Sequence, residues 1–151
     1  MTNLPKAYNE LVSLLLTEDD RVKFEWAIGA VFNGGPPNIV IIHGGAGSGK
    51  STLLNIVRKV LMAPTRVNYA PRVVFQHDGY FETDQDTYVF AANNNPDNGF
   101  EPGAIHIFTT GDRVPVNKHY VLMEQINSEI APVAEHCIDV YRNNDFQENN
   151  R

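Results

Sequence analysis

Apolar residues recur along this chain in two periods, and each change of period marks an element. Around Pro5 to Leu16 they fall at Leu4, Tyr8, Leu11, Val12 and Leu15, one side of a short amphipathic helix. Thr17 then has the form of an N-cap, with Asp20 three residues on and acids filling the first turn. The helix it opens is expected to run to about Phe32 and to bury Phe24, Ala27, Ile28 and Val31. Trp26 is either core or a face on which an adenine stacks. Asn33-Gly34-Gly35-Pro36-Pro37 stops this helix. Asn38 to His43 is a short, β-branched apolar run, as expected of a buried parallel strand. From Ser51 to Met62 the spacing is helical again, through Leu53, Leu54, Ile56, Val57, Val60 and Leu61.

Beyond Met62, a prolined connection, 63–71, leads to a second strand at 73–77, which ends against Asp78. A polar, acidic loop, 79–86, precedes a third strand at 87–92, and Asn93-Asn94-Asn95-Pro96 closes it. After a turn-rich loop, 97–103, a fourth strand occupies 105–109. From Asn117 to Tyr141 one long helix is expected, with Leu122, Ile126, Ile130, Val133, Ala134, Cys137 and Tyr141 at helical spacing and a kink at Pro132. Residues 143–151 form a polar tail. The alternation predicts one α/β domain over 1–151: N-terminal helices in 1–33, a core in 38–116, a C-terminal helix in 117–142. The expected sheet is short and mainly parallel, as the middle layer of a three-layer sandwich.

Composition narrows the function. The 151 residues carry a formal net charge of −6, so the chain as a whole has no electrostatic pull on nucleic acid. Its single cysteine, Cys137, excludes a disulfide framework and a cysteine-based zinc site. The five histidines show no metal-ligand spacing. No apolar run approaches a membrane span and no signal-peptide pattern opens the chain, so a cytoplasmic protein is expected.

Between the first strand and its helix stands Gly44-Gly45-Ala46-Gly47-Ser48-Gly49-Lys50-Ser51, which fits the phosphate-binding pattern G-x-x-x-x-G-K-[ST]. Glycines let the backbone turn tightly and bring its N–H groups to a phosphate. Lys50 has the reach for the β- and γ-phosphates of ATP, and the Ser51 hydroxyl can complete a Mg²⁺ shell. Thr52 completes the candidate nucleotide-binding set. Strand, glycine loop, helix is the order that aims a helix N-terminus at an anion.

Three further residues are candidates for hydrolysis. Asp78, at a strand end, is either a carboxylate that holds Mg²⁺ through water or a turn-initiating acid before Gly79. Asn93, at a strand tip, either meets the γ-phosphate or the attacking water, or belongs to an asparagine-rich turn. Arg113 is either a phosphate ligand, for its own subunit or a neighbour, or a surface ion-pair residue.

Glu25 to Ala30, Gly34-Gly35-Pro36, the glycine loop and Val89 to Pro96 together resemble viral superfamily-three helicases, nearest to the ATPase half of phage and viral primase-helicases. The resemblance covers roughly Phe24 to Pro115. It implies an AAA+-like ATPase that acts in DNA replication as a homo-oligomeric ring, usually a hexamer, and, with that family's usual outer strand missing, a sheet in the order 105–109, 39–43, 87–92, 73–77. It also implies that Asn93 is the sensor asparagine, with Pro96 three residues on, and that Arg113 lies where a finger for the next subunit can lie. Where that family grips DNA with a basic hairpin, residues 79–86 hold no Lys or Arg. A small P-loop nucleotide or metabolite kinase, and a nucleotide-binding switch with little turnover, stand as alternatives.

Overall fold

The computed structural model describes residues 5–45, 47–65, 72–76, 86–93 and 103–144. Helix α1 spans Lys6–Leu15 and α2 spans Glu18–Phe32. The Thr17 side chain accepts from the Asp20 amide at 3.4 Å, so the predicted cap opens α2. Phe24 to Phe32 are all buried, as in a helix surrounded by protein. Trp26 is part of that core, with its ring 5.1 Å from Tyr141 and its indole N–H donating to the Asn144 carbonyl at 3.3 Å. Its role is packing, and it offers no open face to an adenine.

Four parallel strands form the sheet: β1 (Ile39–His43), β2 (Arg72–Gln76), β3 (Thr87–Asn93) and β4 (Ile105–Phe108). Their order is β2-β3-β1-β4, the order that the resemblance implied. Helix α3 (Lys50–Leu61) leaves the glycine loop. The expected single C-terminal helix is two, α4 (Val116–Ile126) and α5 (Ile130–Asn143). Asn127, Ser128 and Glu129 turn between them. Pro132 sits in the first turn of α5, where a missing N–H breaks no helical bond, so it marks a helix start and causes no kink.

Register and pleat divide the sheet side chains between two faces. Val40, Ile42, Phe90, Ala92, Ile105 and Ile107 join side chains of all five helices in one apolar core. Ile41, Val89 and Ala91 are buried on the opposite face, outside that cluster. Among the described residues, a second helical layer over that face is not seen. One helix–helix contact is polar: Glu129 accepts from the Ala7 and Tyr8 amides at 3.1 and 2.9 Å and so caps α1 across the fold. No described helix is long and apolar enough to cross a membrane.

Candidate functional site

The glycine loop stands at the carboxyl end of β1 and opens α3. Gly49 caps the helix at φ 98°, a conformation that L side chains rarely adopt. A Cβ there would also lie 2.6 Å from Leu15 Cδ2, so the end of α1 braces the loop from behind. Lys50 is 6 % exposed, and its ammonium donates to the Gly44 and Gly45 carbonyls at 2.7 and 2.6 Å. A buried ammonium is tolerated because carbonyl oxygens surround it. Ser48 is also buried, and its amide closes a turn onto the Gly45 carbonyl at 3.2 Å.

The loop leaves room for an anion. Among the described residues other than its chain neighbours, none has a heavy atom within 4 Å of a Cβ built on Gly45, and the nearest to one built on Gly47 is 4.0 Å away. The first amides of α3, at Lys50, Ser51 and Thr52, face the end of a helix dipole that favours negative charge. Ser51 is exposed at the second helical position. The Thr52 hydroxyl is engaged elsewhere, 2.9 Å from His119 Nε2 of α4. These features fit a nucleotide phosphate chain. Ala46 and Asp78 lie outside the described residues, as do Asn94, Asn95 and Pro96.

Asn93 ends β3 directly beside the loop. Its register partner is His43, and its backbone carbonyl accepts from the Gly44 amide at 3.2 Å. Its side-chain nitrogen lies 3.0 Å from His43 Nδ1. The line continues from His43 Nε2 to His106 Nδ1 at 2.8 Å. The His43 ring stacks on Phe108 at 4.7 Å and meets His106 edge to edge, with ring centroids 5.1 Å apart. Burial lowers the pKa of His43, and the neighbouring His106 lowers it further. The ring is therefore neutral at pH 7.

Arg113 lies beside the glycine loop of its own chain. Its guanidinium carbon is the atom 4.0 Å from the Cβ position of Gly47. The segment that carries it is pinned to the end of α1: the Thr110 amide and hydroxyl donate to the Leu15 and Leu14 carbonyls at 2.9 and 2.7 Å. The Asp112 amide in turn donates to the Thr110 hydroxyl at 3.2 Å. Arg113 is exposed.

Of the described candidates, Gly44, Gly45, Gly47, Ser48, Gly49, Lys50, Ser51, Asn93 and Arg113 thus converge on one end of the sheet. His43 and His106 are the residues that sequence reasoning missed. Neither has metal-ligand spacing, and they meet only because the β1–β4 register sets Ile41 opposite His106. The detectable signal was a histidine at the last position of the strand before the loop. Among the described residues, no group of three or more His, Cys, Asp or Glu side chains is placed to hold a metal. Comparisons of the chain with protein-family models, curated proteins and solved structures found no match.

Proposed function

We infer that the chain is a P-loop protein that binds and hydrolyses ATP with Mg²⁺. The observation that carries this reading is the buried Lys50, held against the carbonyls of Gly44 and Gly45 at the N-terminus of α3. A lysine in that position has been taken out of water at a cost that packing alone does not require. Exchanging its two carbonyl partners for phosphate oxygens turns that cost into affinity. The strand order adds support, because it sets the Asn93 strand next to the loop strand and β2, which leads to Asp78, one strand further out.

In this reading the loop amides and Lys50 hold the β- and γ-phosphates. Ser51 and Asp78 would hold the Mg²⁺, whose chemistry is to neutralise phosphate charge. Asn93 orients the reacting groups, and Arg113 faces the charge that develops on the γ-phosphate. The resemblance to superfamily-three helicases extends the proposal to a phage or viral ATPase that assembles as a ring and acts in DNA replication.

Calorimetric titration with ATP and Mg²⁺, followed by steady-state phosphate release, tests the core of the proposal. Wild type should bind and turn over, and Lys50→Ala should weaken binding and abolish release. Full turnover by Lys50→Ala would remove the loop from the mechanism. Binding without release by wild type would favour the switch reading. Phosphate transfer to an added nucleoside would favour the kinase. Mass in solution with and without ATP reads the ring.

A further inference from the structure

An arginine helps a phosphate to react only if the backbone brings it to the right place. The Arg113 guanidinium carbon lies 4.0 Å from the Cβ position of Gly47, in the middle of the glycine loop. Among the described residues, no ion pair or hydrogen bond holds the guanidinium itself. Its place therefore depends on the turn that carries it.

That turn is built on the end of α1. The last carbonyls of a helix have no partner within it. Here Leu15 accepts from the Thr110 amide at 2.9 Å, and Leu14 accepts from the Thr110 hydroxyl at 2.7 Å. The same hydroxyl accepts from the Asp112 amide at 3.2 Å. Each role is fixed, because a carbonyl can only accept and an amide N–H can only donate. The bond to Asp112 closes a turn around Gly111, whose φ of 86° suits glycine, and Arg113 follows at once. Just before the turn, Thr109 bridges to Leu16, and its amide donates to the His43 carbonyl at 3.0 Å. The end of α1 also meets the loop. Leu15 Cδ2 stands 2.6 Å from where a Cβ on Gly49 would be. One helix end thus holds both the loop and the turn that carries the arginine.

We propose that Thr110 is a positioning residue for Arg113: its hydroxyl ties the turn to α1 and so sets the guanidinium beside the glycine loop of the same subunit. The assignment rests on the reading of that loop as a nucleotide site. It deepens the reading, because the cation that meets the γ-phosphate then comes from the same chain and is placed by one hydroxyl.

The test has two arms. Thr110 is exposed, and Thr110→Val keeps its shape and its amide bond while removing both hydroxyl bonds. Without nucleotide, the Asp112 amide should exchange its hydrogen several-fold faster in Thr110→Val than in wild type, and Thr110→Ser should match wild type. Equal exchange in all three overturns the proposal, whatever the protein does with ATP. In the second arm, Thr110→Val should lower turnover roughly 10-fold and leave affinity for a non-hydrolysable ATP analogue within about two-fold, because orientation is lost and phosphate binding is kept. Thr110→Ser should restore turnover to within about two-fold of wild type. In combination with Arg113→Ala, Thr110→Val should add nothing to the loss already caused by Arg113→Ala. Thr110→Ala carries both arms if Thr110→Val does not fold. Unchanged turnover in the folded variant, an equal loss in Thr110→Ser, or losses that add to those of Arg113→Ala would overturn the positioning role while wild-type binding and hydrolysis still stand. Wild type that binds no nucleotide would overturn the parent reading and the catalytic part of this one together.

Discussion

On one face of the sheet, Val40, Ile42, Phe90, Ala92, Ile105 and Ile107 meet five helices in a continuous apolar core. On the other, at the carboxyl ends of the same strands, His43, Asn93 and His106 form a bonded polar line beside the glycine loop. The two faces share a backbone and differ in what holds them. The first is held by area, which tolerates any apolar side chain of about the right size and punishes charge or excess volume. The second is held by hydrogen bonds, which depend on where each polar atom lies and on what stands opposite it. A change on the helical face should therefore appear in stability, and a change on the polar face in turnover.

The largest expected effect tests the first half of that contrast. Ile126 is fully buried in α4 within the apolar core. Ile126→Asp puts an unpaired charge there and should cost on the order of 3–5 kcal/mol, read as a fall in the thermal midpoint. An unchanged midpoint would mean that α4 is an appendage of the fold. Next in size is Arg113→Ala, which should lower turnover roughly 10²-fold with the midpoint unmoved, since Arg113 is exposed and stands over the loop. Because that loop is in its own chain, mixing inactive Lys50→Ala subunits with inactive Arg113→Ala subunits should give no recovery. Recovery on mixing would make Arg113 a finger for a neighbour.

A smaller effect belongs to the crossing of α2 and α5. A Cβ on Gly29 would lie 2.1 Å from the Cys137 carbonyl oxygen and 2.7 Å from Tyr141 Cβ. The helices touch there through backbone. Gly29→Ala must push them apart and should cost about 1–3 kcal/mol, measured by urea unfolding, with nucleotide affinity kept. No loss of stability would show that the crossing can adjust.

Period and punctuation were enough to read the strands and the loop, and the resemblance to superfamily-three helicases supplied the strand order. Asn38–His43 and Thr87–Ala92 are apolar on both pleats, which only a strand covered on both sides requires, and the glycines between His43 and Lys50 have one common use. The break between α4 and α5 was harder, because Leu122, Ile126 and Ile130 keep helical spacing straight through it and Pro132 suits a kink as well as a first turn. The His43–His106 contact was out of reach, since it joins residues 63 apart by register alone. So was the side of the site on which Arg113 falls. The buried Glu25 was equally hidden. It accepts from the Tyr8 hydroxyl at 2.8 Å and from Arg21 Nε at 3.2 Å, and His136 Nε2 lies 3.0 Å from its other oxygen. Its helix position shows none of those partners.

Acid gives the finest division between the two faces, and the smallest effect. On the polar face, burial and then His106 depress the pKa of His43. Below the ordinary histidine value of about 6.5, the unfolded chain therefore takes up a proton that the folded chain refuses, and stability is lost as pH falls through the folded value. In the helical layer, burial pushes the Glu25 carboxyl up, but His136, Tyr8 and Arg21 outweigh it and hold the pKa below its ordinary value. That contribution has the same sign and a lower window: it is complete above about 4.5 and is lost as pH falls through the depressed value. Urea midpoints measured from pH 8 down to about pH 2 should thus decline in two stages. His43→Phe should flatten the upper stage and leave the lower one, and Glu25→Gln should do the reverse. The slope is the quantity to compare, because each substitution also shifts the level at pH 8. An upper stage that survives His43→Phe would mean that His43 has no part in it, and that its burial beside His106 does not depress its proton affinity in the folded chain.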